Sequence, residues 1–210
     1  VNQTLSPEYW NNRYLNNDFG WDTGSITTPL KTYFDQLTDK DLTILIPGAG
    51  NAYEAEYLIN NGFRNVFVCD IATEPLDNLK KRCPAFKEEN LLLVDFFDLD
   101  LNLRISRESH FERSREVDLI IEQTFFCAIE PSLRKKYFEK VAALLKPGGK
   151  LVGVLFDDAL NKDKPPFGGN KEEYLSYIDP SIFKINVFEA CRNSIKPRQG
   201  RELFINLARS

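Results

Sequence analysis

The sequence predicts an α/β fold: an open, mostly parallel sheet of seven strands, helices on both faces, and an antiparallel pair at its C-terminal edge. Three observations carry this. Branched apolar runs alternate with amphipathic segments as far as Phe156, the rhythm of parallel strands joined by crossover helices. The run Leu42, Ile44, Leu45, Ile46 stops at Pro47 and passes through Gly48-Ala49-Gly50 directly into an amphipathic segment, as a buried strand, a tight turn and a helix do. Beyond Phe156 two strand-like runs, Phe183 to Ala190 and Glu202 to Ala208, are joined by CRNSIKPRQGR, a loop suited to an antiparallel pair.

Each element has a local reason. From Pro29, PLKTYFDQLT places Leu30, Tyr33, Phe34 and Leu37 on one helical face. After the glycine turn, Ala55, Leu58 and Ile59 mark a buried helical face that Gly62 ends. Val66 to Cys69 is the next strand, closed by Asp70; Pro75 to Arg82 reads as a short helix and Asn90 to Val94 as a third strand. Val117 to Glu122 is a fourth. Pro131 opens a helix to Leu145 that shows Leu133, Tyr137, Val141, Leu144 and Leu145 at helical spacing, and KPGGK turns into the strand Leu151 to Phe156. A polar, proline-bearing loop runs through Phe167 to a helix near Glu172 to Tyr177. RISRESHFERSRE, within Leu101 to Glu116, is charged and weakly periodic, so the least ordered internal part is expected there.

Composition narrows the function classes. At 210 residues, with 42% hydrophobic and 28% charged residues, the chain suits one domain with a sizeable core and is unlike disordered or fibrous sequences. A net charge of -4 argues against a nucleic-acid or anionic-membrane partner, leaving a small molecule as the expected substrate. Cys69, Cys83, Cys127 and Cys191 have no metal-binding spacing and there is one His, His110, so no metal is expected and the thiols read as buried and inert. No 18-residue apolar run or leader pattern is present, so a cytoplasmic protein is expected. The chain begins at Val1 and contains no Met, so an initiator is expected to precede it.

The glycine turn points to a nucleotide-like ligand. Asp70 follows about 20 residues later at the next strand end, where such folds place a carboxylate on a ribose. A dinucleotide oxidoreductase fits poorly, because Tyr53 stands where the pyrophosphate fingerprint has its third glycine. S-adenosylmethionine has no pyrophosphate and tolerates a looser turn. Asp95, ending the third strand beside Phe96 and Phe97, suits an adenine amino group with an aromatic against the ring.

These residues carry a resemblance. The chain resembles the thiopurine methyltransferase superfamily of Rossmann-like, class I S-adenosylmethionine-dependent methyltransferases, and is more similar to its halide and thiol methyltransferase branch. The matching pieces are YWNNRYLNNDFGWDTG, PGAGNAYE, VFVCD, VDFFDL, DLIIEQTFFCAIEP, KPGG, KPPF and SIKPRQGRE. The resemblance implies one domain, 1–210, with a cofactor-covering segment 1–40, a nucleotide-binding core 41–156, and an acceptor loop and hairpin 157–210. It implies that Trp10, Tyr14 and Trp21 cover the cofactor and that Gly48 and Gly50 admit its methionine part. Glu54 is the acid the family carries four residues after the second glycine, although the helix dipole alone would also favour an acid there. Asp70 takes the ribose hydroxyls, and Gln123 stands near the cofactor where the thiopurine branch has Arg.

Phe125, Phe126 and Cys127 lead to the acceptor, with Phe156, Pro166 and Phe167 beyond them. Phe156 stands where halide-methylating relatives tend to have Tyr, which favours thiol over halide. Cys127 has no neighbouring His to activate it, and direct transfer requires no covalent step, so no catalytic side chain is assigned. The implied function is S-adenosylmethionine-dependent methyl transfer to a thiol, sulfide or halide, with thiopurine included, by a monomer. Arg198 or Arg201 of the late loop would add to the positive charge that ionises a thiol, although solvated loop cations are the favoured reading. The alternatives are an amine or carboxylate methyltransferase, with Asp157 and Asp158 as its candidate acid or base, and a non-catalytic cofactor-binding protein.

Overall fold

The computed structural model describes residues 5–100 and 117–210. The segment Leu101 to Glu116, expected to be the least ordered, lies outside the described residues. A seven-stranded sheet has the order β3-β2-β1-β4-β5-β7-β6. Its strands are β1 (Thr43–Pro47), β2 (Asn65–Asp70), β3 (Leu91–Leu93), β4 (Val117–Gln123), β5 (Leu145–Phe156), β6 (Phe183–Ala190) and β7 (Glu202–Arg209). The first five are parallel, and β7 runs antiparallel between β5 and the edge strand β6.

Both faces of the central strands are buried, which is why they read as continuous apolar runs. Leu45, Phe67 and Ile120 pack on one face with Tyr137, Phe138 and Val141 of a helix. Ile44, Ile46, Val66, Val68, Leu119 and Ile121 pack on the other. That second face is covered by α2 (Thr28–Phe34), α3 (Tyr53–Asn60) and α4 (Thr73–Arg82), through Leu30, Phe34, Ala55, Leu58, Leu76 and Leu79. The first face carries α5 (Arg134–Leu144), and α6 (Lys171–Ser176) follows the proline loop.

Four differences from the sequence reading have physical causes. The N-terminal segment contains α1 (Pro7–Leu15), whose polar periodicity hides it; Ser6 caps it by accepting from the Tyr9 amide, and Pro7 fits its first turn. The helix expected from Pro131 begins as a 3-10 turn, Pro131–Leu133, before α5. The KPGGK segment is part of β5 rather than a turn before it: Leu145 pairs with Val117, Lys150 with Leu119, and the extra residues form an irregularity where Gly148 adopts φ +77°. β3 is shorter than expected because Asn90 ends a 3-10 turn and donates its side-chain N–H to the Val66 carbonyl. Among the described residues no helix is long and apolar enough to cross a membrane.

Candidate active site

A cavity of about 340 Å³ opens at the carboxyl ends of β1, β2, β3 and β4, where the strand order reverses between β1 and β4. Its floor is the turn after β1. Gly48 and Gly50 have φ of +53° and +52°, and a Cβ on Gly48 would lie 2.0 Å from Cδ2 of Phe125. Only glycine supplies both the left-handed backbone and the missing atom. Asp70 binds this turn to β2: Oδ2 accepts the Gly50 amide and Oδ1 the Ala72 amide, each at 2.9 Å. Burial lifts the Asp70 carboxyl above its ordinary range, against the pull of the Ala72, Gly50 and Ile71 amides.

Glu54, in the first turn of α3, is buried and faces the same space. Its carboxylate forms no ion pair among the described residues, and burial lifts it to about 7. Asp95 lines the next strand end, accepting the Phe97 amide at 2.8 Å. On β4, Gln123 Oε1 accepts from Thr27 Oγ1 at 3.0 Å, while its Nε2 is buried with no partner among the described residues. A glycine cradle, three carboxylates and an orphaned amide donor suit a ligand with a cationic centre, ribose hydroxyls and a polar base.

The N-terminal segment closes one side as an aromatic cluster. Trp10 meets Trp21 edge to face at 5.5 Å, Tyr14 meets Trp21 at 5.8 Å, and Phe19 stacks on Tyr14 at 5.4 Å. The Tyr14 hydroxyl lies over Gly50, 2.8 Å from where a Cβ would sit. Three side-chain contacts hold this segment: Asn11 accepts the Thr73 and Glu74 amides, Asn51 donates to Asp22 at 2.5 Å, and Arg198 donates to the Trp21 carbonyl at 2.7 Å. The opposite end is mostly apolar, with Phe125, Ala128, Ile129, Leu133, Pro165 and Pro166 along it and Glu130 as its one charged side chain among the described residues.

The sequence profile of thiopurine S-methyltransferase matches residues 5–206. The chain belongs to the thiopurine S-methyltransferase family. Among its relatives, the protein named "Probable thiol methyltransferase 2" of Arabidopsis thaliana is 27% identical over 185 residues, 87% of this chain and 76% of that one. Thiocyanate methyltransferase 1 of Brassica oleracea is 25% identical over 204 residues, covering 95% of this chain and 84% of its own. In fold, the chain is similar to the 1,6-didemethyltoxoflavin-N1-methyltransferase of Burkholderia thailandensis, solved with S-adenosylhomocysteine. The TM-score is 0.68 at 16% identity, covering 97% of this chain and 86% of that one. As a thiopurine S-methyltransferase family member, the chain is an S-adenosylmethionine-dependent methyltransferase.

The methyltransferase brings most of the residues singled out in the sequence to one cavity: Trp10, Tyr14, Trp21, Gly48, Gly50, Glu54, Asp70, Asp95, Phe96, Gln123, Phe125, Cys127 and Pro166 all line it. Three others lie outside its lining. Phe126 is buried between Tyr137, Phe138 and Tyr174, because the residue after Phe125 points into the core. Phe156 lies beneath Arg198 at 5.4 Å, and its carbonyl accepts from Tyr174. Phe167 is buried, its amide donating to the Cys127 carbonyl at 2.7 Å, so it anchors the proline loop from behind. Cys127 donates its thiol to the Thr124 carbonyl, and burial pushes it up to about 12, so it is neutral at pH 7.

The late-loop cations stand apart from the acceptor end. Arg201 pairs with Asp158, and Arg198 faces Glu202 at 3.4 Å; neither lines the cavity. Asp157 accepts the Lys171 amide and does not line it either. Sequence reading passed over Arg13, whose guanidinium covers one face of Trp21 at 4.6 Å, and the Asp22–Asn51 contact. It also passed over Arg134. That side chain is 1% exposed, pairs with Glu173 at 2.6 Å, donates to the Gly168 carbonyl at 2.9 Å, and lies over the Phe126 ring. Arg134→Met is expected to lower stability by roughly 2 to 4 kcal/mol, since it strands a carbonyl and a partly buried carboxylate. Denaturant unfolding checks this, and an unchanged midpoint contradicts it.

Proposed function

We propose that this methyltransferase acts on a small soft nucleophile, a thiol or sulfide in preference to a halide, by direct in-line displacement. The observation that carries this reading is the apolar acceptor end of the cavity. Among the described lining residues Arg13 is the one basic side chain, and it lies over Trp21 rather than at that end. A halide or other small anion finds no cationic side chain there, whereas a small neutral thiol loses little on leaving water.

When bound, S-adenosylmethionine supplies an activated methyl group on a positively charged sulfur. The chain's own residues align, shield and desolvate. The backbone at Gly48 admits the methionine part, Asp70 accepts the ribose hydroxyls, Asp95 accepts from the adenine amino group, and Trp10 and Trp21 exclude water. Ionised Glu54 favours the cationic end. Phe125 and Pro166 confine the acceptor so that it approaches along the line of the breaking bond. A thiol is already partly ionised near neutral pH, so no side chain is required to remove its proton.

Initial rates with small alkyl thiols, hydrogen sulfide, iodide and thiopurines at saturating methyl donor test this reading. Small thiols and sulfide are expected to lead the series. Iodide or thiopurines turned over faster than small thiols and sulfide would overturn it.

Glu54 adds a pH signature. A carboxyl raised to about 7 in the folded protein, from an ordinary 4.5, favours the fold at low pH, and that contribution is lost as pH rises through about 7. A cation at the site favours the ionised form and therefore releases a proton on binding. Affinity for S-adenosylmethionine is expected to rise between about pH 6 and pH 8, and Glu54→Gln to flatten that rise. Calorimetry at several pH values decides; a pH dependence unchanged in Glu54→Gln contradicts the assignment.

A further inference from the structure

β4 ends in a turn that its own sequence resists. Thr124 has φ +60°, a left-handed conformation unfavourable for a β-branched residue. There the chain sends Phe125 against Gly48 and Phe126 into the core. The group that holds it is Glu122, wholly buried on β4. Its Oε1 accepts the Phe125 and Phe126 amides at 2.9 Å each, and its Oε2 accepts the Tyr137 hydroxyl at 2.7 Å. Three neutral donors thus meet the carboxylate, which is acceptor-only when ionised and which burial lifts to about 7, with no Lys or Arg bonded to it among the described residues. β5 makes room: Gly153 pairs with Glu122, and a Cβ there would come within 2.5 Å of the Glu122 Cβ.

Phe125 stands at the junction of the two halves of the cavity. Its ring contacts Phe96 at 5.5 Å and Tyr137 at 6.0 Å, so both its amide and its ring are fixed from the Glu122 side. We propose that Glu122 is a positioning residue for methyl transfer: by holding the Thr124 turn it sets the Phe125 ring between the glycine cradle and the acceptor end. This rests on the methyl-transfer reading above. In-line displacement is sensitive to misplacement of an ångström or less, so loosening this turn costs turnover more than cofactor affinity. Glu122→Asp draws the carboxylate back from both amides. Glu122→Gln keeps the length and offers the amides an oxygen, while the Tyr137 hydroxyl can turn to accept from its amide group.

The test uses the full chain, S-adenosylhomocysteine calorimetry, and turnover of the best thiol acceptor. Glu122→Asp is expected to lower kcat by at least about tenfold, with S-adenosylhomocysteine affinity within about threefold of wild type. Glu122→Gln is expected to recover most of that loss, and adding Thr124→Gly to Glu122→Asp, which relieves the strained turn, to recover part of it. An unchanged kcat in Glu122→Asp, or equal losses of kcat and affinity, overturns the proposal. If Glu122→Asp does not fold, Tyr137→Phe gives the same reading by releasing only Oε2: a lowered kcat at unchanged affinity supports it, and no change overturns it. If the wild type turns over no acceptor, the functional reading fails, and crystal structures of wild type and Tyr137→Phe or Glu122→Asp decide the positioning role. A Phe125 ring still seated on Gly48 in the variant overturns it.

Discussion

Gly48→Ala is expected to weaken S-adenosylhomocysteine binding at least a hundredfold, about 2.7 kcal/mol. Two costs combine. Alanine at φ +53° is strained by roughly 1 to 2 kcal/mol, and its Cβ would lie 2.0 Å from Cδ2, 2.4 Å from Cγ and 2.8 Å from Cβ of Phe125. The phenyl ring has little room to yield, because its amide is held by Glu122 and its ring by Phe96 and Tyr137. The turn must therefore move, and with it the backbone that admits the ligand. Calorimetry with circular dichroism as a folding control checks this; wild-type affinity in a folded variant would show that the turn does not form the cradle.

Asp70→Ala is expected to reduce cofactor affinity at least tenfold. The carboxylate has two tasks at once. It holds the Gly50 and Ala72 amides in the protein, and its remaining lone pairs are available to ribose hydroxyls. Hydrogen bonds to a charged group contribute roughly 1.5 to 3 kcal/mol each when shielded from water, and Asp70 is only partly buried, so tenfold is a floor. Asp70→Asn is expected to fall between, because the amide group keeps one acceptor and loses the other. Unchanged affinity in the alanine variant removes Asp70 from the ribose site.

Why the cradle was legible in the sequence, and the acceptor wall only partly, follows from particular residues. β1, its turn and α3 are local: apolar run, proline, positive-φ glycines and amphipathic helix lie within 18 residues of one another. Asp70 and Asp95 need only the rule that ligands collect at carboxyl ends of strands. The acceptor wall depends on which way side chains turn after a strained residue. Phe125 and Phe126 are adjacent, and only the structure shows that Thr124 sends the first to the cavity and the second to the core. The family resemblance implies Phe156 and Phe167 at the acceptor, yet Arg198 and the Cys127 carbonyl hold them behind the wall.

Glu122 did leave a sequence signal: a carboxylate that directly follows the apolar run Leu119, Ile120 and Ile121 of β4, opposite a glycine on the next strand. A buried charge in such a run requires donors, but which amides supply them is a long-range fact in the case of Tyr137 and a turn-geometry fact in the case of Phe125. α1 was missed for a different reason. Its residues are mostly polar and its stabilisation is partly tertiary, through Asn11 at the N-terminus of α4 and the Trp10–Trp21 contact.

On the reading proposed above, the turn after β1 and the strand-end acids hold S-adenosylmethionine rather than a dinucleotide. Tyr53 at the third-glycine position, beneath the Arg82 guanidinium at 4.4 Å, is the feature that separates the two. Parallel calorimetric titrations of the full chain with S-adenosylhomocysteine and with NADH test it most directly. Saturable one-to-one binding of S-adenosylhomocysteine with no heat from NADH is the expected result; binding of NADH without S-adenosylhomocysteine would contradict it.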